Sequence, residues 1–162
     1  MIFNDAKVKK YLDEAQEFAD KESDCKKVQV GSVLVLKSAY EISIYGANRT
    51  LPICCKNSEC RRVELYGEDS KNHRLPSDCR AVHSEIDAIA TAASFGLATK
   101  GATLFVTRYP CEACARAIAR AKIFKVYYGR EQEISEETKK IFEAEGVKVK
   151  HVKEWTYEDV VE

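Results

Sequence analysis

The side chains with the clearest capacity for chemistry are His83, Glu85, Cys111 and Cys114. They sit in two short motifs, H-x-E at 83–85 and P-C-x-x-C at 110–114. One imidazole and two thiolates suit zinc, and three protein ligands leave its fourth tetrahedral position to water, as a catalytic site requires. Zinc lowers the pKa of such a water to about 7. Glu85 follows the histidine by two residues. It can take a proton from the water and hand it on without binding the metal. The set reads as metal-assisted hydrolysis. A C-x-x-C pair alone would carry little, since half of a structural zinc site or a thioredoxin-type pair has the same form. A structural zinc would want a fourth Cys or His where Glu85 stands, and a thioredoxin pair has no H-x-E companion.

Such a site needs two helix starts held against a sheet. Proline is tolerated in a first turn, so Pro110 opens a helix over Cys111–Lys122 with both sulfurs in its first turn. The partial positive charge there favours thiolates. His83 opens another helix, and Ile86, Ala88, Ile89, Ala90, Ala92 and Ala93 make it small enough to lie close to a sheet, with Gly96 as its stop. Strands are expected at 28–36, 41–46, 102–107, 124–128 and 147–152, the last an edge strand blunted by lysines. Residues 5–22 form an amphipathic helix with Ala6, Leu12, Ala15, Phe18 and Ala19 on one face. Ser135 caps a further helix through Ala144, which Gly146 ends. Residues 155–162 are a short tail that could be helical. The order is α-β-β-loop-α-β-α-β-α-β, and its β-α-β units demand parallel neighbours with helices on the sheet faces. The class is α/β.

The 162 residues suffice for one domain with a proper core, expected to span 1–162. Lys+Arg and Asp+Glu balance at 26 each, so the net charge gives no reason to expect nucleic acid as the partner. The first residues lack the pattern of a signal peptide, and no apolar run approaches membrane-spanning length. A cytoplasmic chain without a membrane partner is expected. Seven cysteines in a reducing compartment argue for metal ligands over disulfides. Four of them lie in a stretch at about 50–82 with little hydrophobic period. A loop this long is usually functional or cross-linked. Cys54 or Cys55, Cys60 and Cys79, with His73 as a fourth donor, could hold a second, structural zinc there. Arg49, Arg61 and Arg62 are the nearest cations for a phosphate.

H-x-E followed by P-C-x-x-C is the signature of zinc-dependent nucleobase deaminases. From about residue 8 to 152 the chain resembles the cytidine and deoxycytidylate deaminase superfamily, and within it the deoxycytidylate (dCMP) deaminases. The likeness rests on Gly46-Ala47-Asn48, on Cys79–Glu85 and on Tyr109–Ile118. It implies a three-layer α-β-α fold with a five-stranded mixed sheet, one catalytic zinc, and a homo-oligomer, dimer or hexamer. It also implies hydrolysis of dCMP to dUMP. Asn48 would bond the nucleoside sugar, the Ser84 backbone N–H would read the base carbonyl, and Tyr109 would help cover the base. Tyr109 stands where tRNA adenosine deaminases have Glu, and the Cys-containing insertion is a habit of dCMP deaminases. The chain departs from the family at Asp87, which replaces an Asn and would repel a phosphate, and after Asn48, where a glycine-rich segment is replaced by Arg49–Ile53. Other amino-heterocycles (cytidine, guanine, a pterin, a tRNA base) are alternative substrates. A non-catalytic zinc module is the other alternative, though it would have no need of Glu85.

Overall fold

The computed structural model describes residues 2–25, 28–50, 60–67, 79–131 and 135–157. Cys54, Cys55 and His73, and the last residues of the tail, lie outside the described residues. Within them the order is α1 (Asp5–Glu22), β1 (Gly31–Leu36), β2 (Ile42–Ala47), β3 (Arg49–Thr50), α2 (Arg61–Tyr66), β4 (Ala81–Val82), α3 (Ser84–Ser94), β5 (Thr103–Arg108), α4 (Glu112–Arg120), β6 (Lys125–Arg130), α5 (Glu136–Ala144) and β7 (Lys148–His151). The main sheet has five strands in the order β2-β1-β5-β6-β7. β1 is antiparallel to β2 and β5, while β5, β6 and β7 run parallel, joined by α4 and α5. This is the expected mixed sheet. Two short strands, β3 and β4, pair apart from it, and α2 lies inside the stretch that shows no clean period.

Alternation along the strands sorts the core into two layers, because successive side chains point to opposite faces. Leu34, Leu36, Leu104, Val106, Val126 and Tyr128 pack under α3, α4 and α5, with Ala88, Ala92, Ala115, Ile118 and Phe142 facing them. Val33, Val35, Phe105 and Tyr127 turn the other way, onto Val8, Tyr11, Leu12 and Ala15 of α1 and onto Trp155. β1 is buried at every position, as a central strand covered on both faces must be. The buried stripe of α1 runs through Val8 and Tyr11, one helical turn before Leu12 and Ala15, and leaves the expected Ala6 exposed. Gly31 sets how close α1 comes: a Cβ there would lie 1.7 Å from the Ala15 carbonyl oxygen.

Strand ends differ from the sequence expectation by a residue or two, and three larger differences have a local reason. Residues 28–30 are not in β1, because the Asn48 side chain bonds both Val28 and Val30. α4 stops at Arg120, not Lys122. Lys122 adopts φ 56°, with Ile123 N–H on the Ile118 carbonyl and Lys122 N–H on Ala119, the left-handed closure usually given to glycine. Residues Trp155–Tyr157 are not helical. The Trp155 ring covers Gly129 instead and donates Nε1–H to Asp13 at 2.8 Å. No described helix is long and apolar enough to cross a membrane.

Candidate metal centre and active site

α3 and α4 begin side by side, and their N-caps are His83 and Cys111. Neither residue caps with its side chain, so both are free to face each other. His83 Nδ1 lies 3.4 Å from Cys111 Sγ and 3.4 Å from Cys114 Sγ, and the three donor atoms fall within 4.8 Å of one another. A tetrahedral zinc with ordinary Zn–N and Zn–S bonds would place such donors about 3.5 Å apart. The donor set fits zinc in kind and spacing. Among the described residues it is the one group of three or more metal-binding side chains.

The elements that fix this meeting are packed tightly. Gly46 of β2 touches the first turn of α3: a Cβ there would lie 2.2 Å from the Ser84 carbonyl oxygen and 2.7 Å from Ala88 N. Ser32 Oγ of β1 donates to that same Ser84 carbonyl at 2.8 Å. Thr107, at the end of β5, accepts from Gly31 N–H at 3.2 Å. Both helix starts are therefore tied to the centre of the sheet.

The three donors compete closely for protons. Cys111 is drawn down to about 4, first by a hydrogen bond from the Cys114 thiol and then, against burial, by His83. Cys114 is pushed up by its bond to Cys111 and by burial, so the two sulfurs share one proton and one charge. His83 is raised to about 10 by its bond to Cys111 and then by one to Cys79. Zinc would replace these protons and hold both sulfurs as thiolates. Glu85 is 4% exposed, takes a 3.2 Å bond from Ser84 Oγ, and has its carboxyl raised by burial.

Residues 5–130 match the family model described as the cytidine and deoxycytidylate deaminase zinc-binding region. The chain belongs to this family. It is 28% identical over 130 residues, 80% of its length, to ComE operon protein 2 of Bacillus subtilis (strain 168). Over 77 residues, 48% of its length, it is 38% identical to the deoxycytidylate deaminase of Enterobacteria phage T4. These matches span 63% and 40% of the two relatives, less than two thirds of either. The crystal structure of the dCMP deaminase of cyanophage S-TIM5 in complex with dCMP and dUMP is similar at a TM-score of 0.70 and 25% identity, over 93% of this chain and 99% of that one.

Around the metal donors the other expected residues fall in different places. Ser84 is the first residue of α3, so its N–H has no helical carbonyl to bond. Asn48 is buried beside α3's strand neighbours, with Oδ1 accepting from Val30 N–H at 2.8 Å and Ser23 Oγ at 2.6 Å. Its Nδ2 donates to the Val28 carbonyl at 2.7 Å. Tyr109 is buried, edge-on against Tyr128 and Phe142. Cys60 and Cys79 are half-buried, and Cys79 bonds the His83 ring. Arg61 and Arg62 open α2.

Asp87 was expected to act against a phosphate, and the structure gives its carboxylate other partners. Oδ2 accepts from Ala47 N–H at 3.0 Å and from Arg49 Nε at 3.2 Å, and pairs with Arg49 Nη2 at 3.0 Å. Asp87 thus clamps the β2–β3 corner, which carries Asn48, onto α3. Arg49 is also 3.4 Å from Glu22, so it is committed to carboxylates. Sequence reasoning missed this clamp, although Arg49 and Asp87 are both departures from the family pattern.

Proposed function

We propose that the chain hydrolyses the amine of a free cytosine nucleotide, with dCMP and water giving dUMP and ammonia. The observation that carries this is the buried Glu85 carboxyl beside the converging His83, Cys111 and Cys114. Family membership supports the deamination, and the phage relatives named as deoxycytidylate deaminases support the nucleotide. His83, Cys111 and Cys114 would hold zinc, which when bound supplies an activated water. Glu85 takes one proton from the water and passes it to the ring nitrogen next to the reacting carbon. It then takes the second from the hydroxyl left on that carbon and delivers it to the departing amine, so that the carbonyl forms as ammonia leaves. Its burial favours the neutral form, so it holds the proton between these transfers. The Ser84 N–H orients the base through its carbonyl. Asn48 keeps a second amide N–H beyond its bond to Val28, and this is the donor it offers the sugar.

The test is steady-state ammonia release from dCMP, deoxycytidine, CMP, cytidine, guanine and a tRNA anticodon stem-loop. dCMP should give the highest kcat/KM. A higher value for an unphosphorylated compound would overturn the nucleotide assignment and leave the deaminase chemistry standing.

A further inference from the structure

Two arginines end neighbouring strands, the first of them just before the ligand Cys111. Arg108 closes β5, Arg130 closes β6, and they are register partners on the last rung of that parallel pair. Strands in such a pair lie about 4.8 Å apart, so two full positive charges start from adjacent backbones. Arg108 Nε is buried and has no hydrogen-bond partner. Among the ion pairs of the described residues none involves Arg108. Arg130 carries its guanidinium over the Trp155 ring, 5.4 Å from the centroid. Burial first, and then the charge of Arg130, hold the Arg108 guanidinium below its ordinary value. A half-buried guanidinium beside a second cation is costly unless an anion joins them.

We propose that Arg108, with Arg130 beside it, forms the subsite for the 5′-phosphate of the substrate. Ligands of open α/β sheets bind outside the carboxyl ends of the strands, which is where both arginines stand. Arg108 precedes the zinc ligand Cys111 by three residues. That is about 10 Å of extended chain, comparable to the reach of a mononucleotide from base to phosphate. The arginine fork matches two phosphate oxygens, and Nε is one of its donors. Arg49, one of the cations expected from sequence, is less apt, because it is held by Asp87 and Glu22.

This subsite rests on the proposed nucleotide substrate, so the test separates the two. Calorimetry on the zinc-loaded protein would use inorganic phosphate and 2-deoxyribose 5-phosphate, neither of which can be deaminated. Arg108→Gln should weaken both by at least about tenfold, the loss of a charge-assisted bond. Arg108→Lys, which keeps the charge and loses the fork, should fall between. In parallel, Arg108→Gln should raise KM for dCMP with kcat little changed and leave kcat/KM for deoxycytidine as in wild type. Thermal unfolding of each variant identifies a misfolded one, in which case Arg108→Lys alone decides. Phosphate binding that depends on Arg108 without turnover of dCMP would keep the subsite and overturn the choice of substrate. Wild-type affinity in both variants, or no phosphate binding by an enzyme that deaminates dCMP, would overturn the subsite.

Discussion

Replacing Asp87 by Ala should destabilise the protein by about 2–3 kcal/mol, and the two partners of its carboxylate contribute unequally. Ala47 is fully buried, and its N–H has the Asp87 carboxylate as acceptor at 3.0 Å. Taking that acceptor away leaves a buried donor unsatisfied, at about 1–3 kcal/mol. The pair with Arg49 is worth less, because the two side chains are 36% and 21% exposed and water screens them. A pair of that kind adds about 0–1 kcal/mol. Asp87→Asn keeps a carbonyl for Ala47 and gives up the charge, so it should cost about 1 kcal/mol or less. In a chain of this size 1 kcal/mol moves Tm by about 2–4 °C. Asp87→Ala should then lose about 4–12 °C and Asp87→Asn about 4 °C at most. Both would be measured by thermal and urea unfolding at one fixed zinc concentration, because bound metal adds to stability. Equal losses for the two variants would mean that the carboxylate works through Arg49 and not through the Ala47 N–H. An unchanged Asp87→Ala protein would refute the clamp itself.

At the centre, Cys111→Ser, Cys114→Ser and His83→Ala should each lose the catalytic metal by elemental analysis and melt lower, since metal binding is coupled to folding. An equivalent of zinc that survives all three substitutions would belong to the insertion cysteines, and its absence would leave that segment without a metal. Glu85→Gln should keep zinc and Tm while kcat falls by about 10²–10⁴, the usual worth of a general acid–base. Turnover near wild type in that variant would show that another group moves the protons. Gly46→Ala drives a Cβ into the Ser84 carbonyl, so the start of α3 must shift away from β2. It should cost about 1–3 kcal/mol and lower kcat, and a fully active, equally stable variant would contradict the close approach.

What the sequence made legible follows from how local each determinant is. The metal donors could be found because each helix start announces itself: Pro110 before Cys111, and small residues after His83. The sheet could be found because β5, β6 and the helices between them have clean periods, and only a parallel arrangement joins them. Ser135 was legible as a cap for the same reason, and its Oγ takes the Thr138 N–H at 3.0 Å. The end of α4 was not legible, since a lysine at φ 56° follows the rule for glycine with the wrong side chain.

Side chains that act through long-range partners leave no such local mark. Asn48 is named by its motif, yet its bonds to Val28, Val30 and Ser23 depend on how the end of α1 returns to β1. Asp87 looks unfavourable for a phosphate only while its pairing with Arg49 is left out. The structure joins the two departures from the family pattern into one ion pair. Arg108 shows the limit most clearly. Read as sequence it is one of many surface cations following a strand expected to end at Thr107. Placed on the last rung of β5 beside Arg130, with a buried and unpartnered Nε, it becomes a cation three residues from Cys111 whose charge no residue of its own strand pair answers. A charge that is costly to bury alone calls for a counter-charge from outside the fold, and the proposed subsite would take it from the phosphate of the substrate.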